Sequence, residues 1–94
     1  MAIRGPITGS FTGIGLSNEV LASEPEYNVS IYGGSGTVEI QRSFDGGSTW
    51  QSIESFTADV ERILDNVEVD TLYRFSCTAY TSGTINYRIG ARRI

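Results

Sequence analysis

The chain contains no lysine and no histidine, so all seven of its positive charges are arginines. Without those two residue types, general-base catalysis would depend on carboxylates, tyrosines or the single cysteine. Cys77 has no histidine to activate its thiol, and its position in an alternating segment predicts that it faces inward. We therefore predict a protein that is not an enzyme and has no catalytic residues, cofactor or metal site.

Cysteine pairs and long apolar runs are also absent. One cysteine cannot form an intrachain disulfide, and no apolar run approaches the roughly 18 residues that cross a membrane. The residues after Met1 lack the hydrophobic region of a secretory signal. A net charge of −4 disfavours nucleic acid, because the phosphate backbone would be repelled. We expect a chain made in the cytoplasm that binds neither a membrane nor a nucleic acid.

What the chain does contain is typical of a β-protein. Its 94 residues include eleven glycines and five tyrosines, and many serines and threonines. Apolar and polar residues alternate in several short segments, which we interpret as strands: 10–16, 27–32, 38–44, 50–56, 58–64, 72–80 and 84–89. For 58–64 a short helix is the alternative. The segments 33–36 (GGSG) and 82–83 (SG) are predicted to form the turns of hairpins. The fold class predicted is all-β: one β-sandwich, immunoglobulin-like or jelly-roll-like, of six to seven short antiparallel strands.

The first part of the chain differs from the rest. Residues 1–24 are rich in Gly, Ser and Thr, with isolated apolar residues between them. They are predicted to form an extended N-terminal arm and the first strand, and residues 25–94 the sandwich body of the same domain. Such an arm would be able to clasp a neighbouring molecule.

Charge is segregated along the sequence. Residues 45–70 hold seven acids and one arginine, a balance of −6, whereas residues 71–94 hold four arginines and no acid. Two interpretations remain open: neighbouring strands pair these charges within one molecule, or the Arg-rich end of one subunit meets the acidic segment of another. Arginine and tyrosine are enriched at protein interfaces. The candidate interface residues are Arg4, Phe11, Tyr32, Arg88, Arg92 and Arg93.

One short motif stands out. The sequence from Ser43 to Trp50, SFDGGSTW, resembles the Asp box on the blades of sialidase-type β-propellers. A complete propeller needs several such blades and is excluded by the length of this chain. The motif is interpreted as a self-capping structural turn, formed by Ser43, Asp45, Gly47, Thr49 and Trp50.

Taken whole, the chain resembles small structural proteins of tailed bacteriophages. The resemblance depends on the segments 11–15 (FTGIG), 42–50 (RSFDGGSTW) and 73–83 (YRFSCTAYTSG), with Tyr87 and Arg88 after them. It implies a virion component on the capsid exterior: a head decoration (cement) protein whose partners are the major capsid protein and copies of itself. A homo-oligomer is expected, a trimer being one arrangement.

Two other functions stay open at this point. One is a carbohydrate-binding module that stacks sugars on Trp50 and neighbouring tyrosines. The other is a head–tail connector or tail component, which copy number per virion would distinguish from a cement protein.

Overall fold

The computed structural model describes residues 7–22, 26–65 and 71–92, and these ranges contain strands and no helix. No helix that could span a bilayer is found in them. The strands, in chain order, are β1 (Ile7–Phe11), β2 (Gly15–Leu16), β3 (Val20–Ala22), β4 (Glu26–Ser43), β5 (Gln51–Phe56), β6 (Val60–Asp65) and β7 (Thr71–Arg92). The prediction of an all-β fold is confirmed.

The fold is organised by two long strands. β4 and β7 pair antiparallel along almost their whole length, from Glu26 opposite Arg92 to Ser43 opposite Leu72. At one end of this pair, β1 joins the outer edge of β7 and β6 joins the outer edge of β4. At the other end, β2 and β3 join β7, and β5 joins β4. We call the end with β1 and β6 the first layer and the end with β5 the second layer.

The long strands must bend sharply between the two layers. An extended strand of 18 residues such as β4 would span roughly 55–60 Å, whereas the largest extent of the molecule is 35 Å. The bends coincide with glycines of positive φ, at Gly33 (106°) in β4 and Gly83 (78°) in β7, and with register shifts after Gly33. The hairpin turns predicted at 33–36 and 82–83 are therefore corrected: both segments are bends inside continuous strands.

The bends bring the two layers face to face. The centre of the Tyr27 ring in the first layer lies 4.5 Å from the centre of the Tyr73 ring in the second. Across the same interface, the ring centres of Phe75 and Tyr87 are 5.0 Å apart. Both layers contribute to one core, whose residues with at most 2% exposure include Val29, Val38, Ile40, Tyr73, Phe75, Cys77 and Ile89. One sheet thus doubles back on itself to form a two-layered, sandwich-like body.

The described part of the predicted arm belongs to this body. Residues 7–22 supply β1, β2 and β3, and they bury the side chains of Ile7, Phe11, Val20 and Ala22 in the core. The strand predicted at 10–16 is divided, because the chain leaves the sheet at 12–14. An extended arm is therefore not observed over 7–22, and residues 1–6 and 23–24 of the predicted arm lie outside the described residues.

β6 forms where a strand was preferred over a helix. Val60 and Leu64 pack against the core, and Ile63, which does not fit the alternation, is 52% exposed. The strand prediction for this segment is confirmed.

Candidate interaction surfaces

The Asp-box loop joins β4 to β5 and is held by its own side chains. The Ser43 hydroxyl donates to Asp45 Oδ1 (2.7 Å) and accepts a hydrogen bond from the Gly47 N–H (2.9 Å). Asp45 Oδ1 also accepts the Thr49 N–H at 2.9 Å. Gly46 and Gly47 have φ of 74° and 99°, which other residues rarely adopt. The loop is preorganised by local bonds, so its conformation needs no ligand.

The same bonds make the loop sensitive to acid. The Thr49 N–H, followed by the Ser43 hydroxyl, lowers the pKa of Asp45 from 3.8 to about 2. Because folding depresses the pKa of Asp45, its ionised carboxylate stabilises the folded protein above about pH 4. This stabilisation is lost as the pH falls towards 2 and the carboxylate is protonated. We expect the urea midpoint of the wild-type protein to decline across this window more steeply than that of Asp45→Asn. Fluorescence of the single tryptophan monitors unfolding. If the urea midpoints of the two proteins fall equally between pH 4 and pH 2, the Asp45 carboxylate is not the acid-sensitive group.

Trp50 closes the loop and is covered on one face. Its Nε1 donates to the Gly47 carbonyl at 3.0 Å. The Arg74 guanidinium lies 4.1 Å from the centre of its ring, and Arg74 Nε donates to Gln41 Oε1 at 2.7 Å. This cation–π contact occupies one face of the Trp50 ring.

The tyrosines do not assemble a platform beside Trp50. Tyr27, Tyr73 and Tyr87 are buried in the core, and burial, followed by the neighbouring Tyr73, raises the pKa of the Tyr27 hydroxyl. The Tyr80 hydroxyl donates to the Gly83 carbonyl at 2.6 Å, which anchors it to the bend of β7. Tyr32, in the other layer, is 54% exposed. These positions leave Trp50 without a tyrosine platform beside it, and one face of its ring is occupied by Arg74.

The outer side of the first layer forms an open face. It carries the outward residues of β4, β6 and β7, among them Asn28, Ser30, Tyr32, Glu61, Ile63 and Arg88; we call it the first-layer face. Two adjoining open grooves of about 550 and 450 Å³ lie on it, and both are lined by Ser30, Glu61 and Arg88.

The candidate interface residues fall in different places. Tyr32 and Arg88 are exposed on neighbouring strands of the first-layer face, where Tyr32 pairs with Asn86 and Ser30 with Arg88. Phe11 is 6% exposed, and its ring packs 5.0 Å from that of Tyr87, so it serves the core and not a partner surface. Arg4, Arg93 and the Arg92 side chain lie outside the described residues.

Sequence reasoning missed Glu61, Ile63 and Ser30 as members of this face. Ile63 gave a signal, since an apolar residue out of phase with its strand points away from the core. Glu61 and Ser30 gave none, because only the pairing of β4 with β6 and β7 brings them beside Arg88.

The acidic segment contains an ion pair of its own. Glu54 of β5 and Arg62 of β6 form an ion pair of 2.9 Å that links the edges of the two layers. Both residues come from the acidic segment. In the described part of the chain, Arg74 bonds to Gln41 and Trp50, and Arg88 forms no ion pair. Nor do any three His, Cys, Asp or Glu residues there group as metal ligands would.

Comparison with known proteins identifies the fold and nothing finer. No family model matches the chain, and no curated protein matches it. A solved structure, the Yersinia pseudotuberculosis-derived mitogen, is similar with a TM-score of 0.59. The similarity covers 96% of this chain and 86% of the mitogen, at 12% sequence identity. At that identity the two proteins share a β-rich architecture, and no function transfers.

Proposed function

We propose that this chain is a structural protein of a tailed-bacteriophage virion, a decoration protein that binds the outside of the head and bridges capsid subunits. The observation that carries the proposal is the exposure of large apolar side chains on separate parts of a small body. Their exposed fractions are 74% for Ile14, 58% for Leu16, 54% for Tyr32, 52% for Ile63 and 50% for Phe44.

These side chains belong to at least two surfaces. Tyr32 and Ile63 lie in or beside the first-layer face, whereas Leu16 is in β2 of the second layer and Phe44 is in the Asp-box loop. Apolar and aromatic side chains exposed next to arginine are typical of interface cores. Two such surfaces on one rigid module are what a bridging protein requires, since it must hold two neighbours at once.

The sequence supports the same role. It resembles phage structural proteins over most of its length, and its cations are all arginines. A decoration protein acts by adhesion, so it needs contact area of about 800 Å² per partner and no enclosed pocket. The first-layer face is open, and the Asp-box loop is held by hydrogen bonds among its own residues. Both features suit a module that binds partners through a rigid surface.

The test is binding to phage heads that lack the protein. We expect saturable, stoichiometric binding with hundreds of copies per head, and an increase in the melting temperature of the heads. A head–tail connector would instead bind as one ring of about six or twelve copies. Tyr32→Ala and Phe44→Ala form a matched pair of exposed aromatic truncations, and the one that weakens binding identifies the capsid-facing surface. Heads that fail to bind the protein at every salt concentration would refute the proposal.

A further inference from the structure

The first-layer face carries charges of opposite sign on either side of Ser30. In the pairing register, Ser30 of β4 lies opposite Arg88 of β7 on one side and opposite Glu61 of β6 on the other. One cross-strand row therefore reads Arg88, Ser30, Glu61, with the two charges separated by two strand spacings, or roughly 9–10 Å.

All three side chains of this row point outward. Val29, Ile31, Tyr87 and Ile89, their neighbours along β4 and β7, are buried, so the alternation turns Ser30 and Arg88 to the outer side. Arg88 and Glu61 are exposed, and both line the grooves on the face. Among the described residues neither forms an ion pair, so each charge is available to a partner.

We infer that this face associates with the same face of a second copy, around a two-fold axis that runs along β4 over Ser30. Rotation by 180° about that axis exchanges the two sides of the row. It places Arg88 of one copy over Glu61 of the other, and Glu61 over Arg88, so that two equivalent ion pairs form. A two-fold interface is self-complementary in this way.

The residues along the axis fit close approach of two sheets. Packed sheets lie about 10 Å apart, and Ser30 is small enough to leave room for the long Arg88 and Glu61 side chains to meet beside it. Tyr32, two residues along β4 and 54% exposed, would contact its own equivalent across the axis. The two exposed Ile63 side chains would lie within the buried area.

Charge complementarity selects a second copy as the occupant. A uniformly acidic or basic partner would meet one favourable and one repelling charge in this row, whereas a copy turned over by the two-fold axis satisfies both. If both proposals hold, the neighbour at this face is a second copy, and the dimer presents two surfaces with Leu16 and Phe44 to the capsid. The two associations are separate: a chain that fails to bind phage heads could still dimerise, and a monomer could still bind heads.

Charge reversal tests the geometry. By analytical ultracentrifugation at low ionic strength, we expect a concentration-dependent wild-type dimer. Arg88→Glu and Glu61→Arg should each weaken dimerisation at least about tenfold, because each creates two like-charge contacts. An equimolar mixture of the two variants should form a heterodimer, since its two rows are again complementary, and the double variant should dimerise with itself.

Two further variants test whether the surface around Ser30 is the site of contact. Ser30→Arg puts an added side chain on the axis in both copies and should abolish dimerisation, while Ser52→Arg on the exposed part of β5 should not. Circular dichroism establishes that each variant is folded. A wild-type protein that stays monomeric up to millimolar concentration overturns the inference, as does a mixture of the reversal variants that fails to associate.

Discussion

Replacing Phe75 with alanine should lower the free energy of unfolding by about 3–5 kcal/mol, the range for a fully buried phenylalanine. Phe75 is 0% exposed, and its ring contacts Tyr87 of the opposite layer at 5.0 Å. The truncation removes apolar burial and leaves a cavity between the layers. Since domains of this size have about 5–15 kcal/mol of stability in total, the variant should be folded marginally or not at all.

Phe44→Ala is the matched control for this change. It removes the same atoms from a side chain that is 50% exposed and lies near the Arg42 guanidinium. Surface truncations of this kind change stability by about 0.5 kcal/mol or less. Urea unfolding of both variants measures the difference. If the two lose similar stability, the layers do not pack together through Phe75.

Gly33→Ala should destabilise the protein by about 3 kcal/mol or more, although it adds a single methyl group. Gly33 has a φ of 106°, which costs other residues about 1–3 kcal/mol. A Cβ there would also clash with the carbonyl oxygen of Thr84 on β7, a backbone atom that cannot move without disturbing the pairing of the two long strands. The variant should therefore lose the bend that joins the layers.

Gly13→Ala separates this effect from the general effect of replacing glycine. A Cβ at Gly13 would meet nothing within 4 Å, and the added alanine reduces the freedom of the unfolded chain, so stability should stay the same or rise by about 0.4–1 kcal/mol. Thermal unfolding of the two variants gives the comparison. A Gly33→Ala protein as stable as the wild type would show that β4 does not bend at this position.

Local pattern was enough to locate most strands. Alternation of apolar and polar residues identified 27–32, 38–44, 72–80 and 84–89, each of which lies within a strand or overlaps its end. Alternation works because side chains of a strand point to opposite sides in turn, so one buried side leaves a period of two in the sequence. The Asp-box loop is similarly local, since its bonds join residues at most four apart.

Local pattern could not show whether the glycines at 33–36 and at 83 close hairpins or bend strands. A glycine with positive φ can close a hairpin or bend a strand, and the sequence at 33–36 and 82–83 is compatible with both. The distinction depends on which strand lies alongside. Here β4 and β7 pair with each other through both segments, so each glycine bends a continuous strand.

Exposure of the aromatic residues also depended on the assembled layers. The chain has five tyrosines and one tryptophan, and its composition does not show which of them are buried and which are exposed. Tyr27 and Tyr73 bury each other because the sheet doubles back, and one face of Trp50 is covered because β7 brings Arg74 over its ring. These contacts join residues 24 or more positions apart, which no short window of sequence reports.

The sequence by itself determined that this chain is an all-β domain, and it specified the turn between β4 and β5. Both follow from short-range rules: side-chain alternation, the conformational freedom of glycine and hydrogen bonds between near neighbours. The tertiary structure decided which residues became core, such as Phe11, and which became surface, such as Arg88 beside Ser30 and Glu61. Burial and exposure depend on which distant strands pair, because residues far apart in sequence share a surface only when their strands lie side by side.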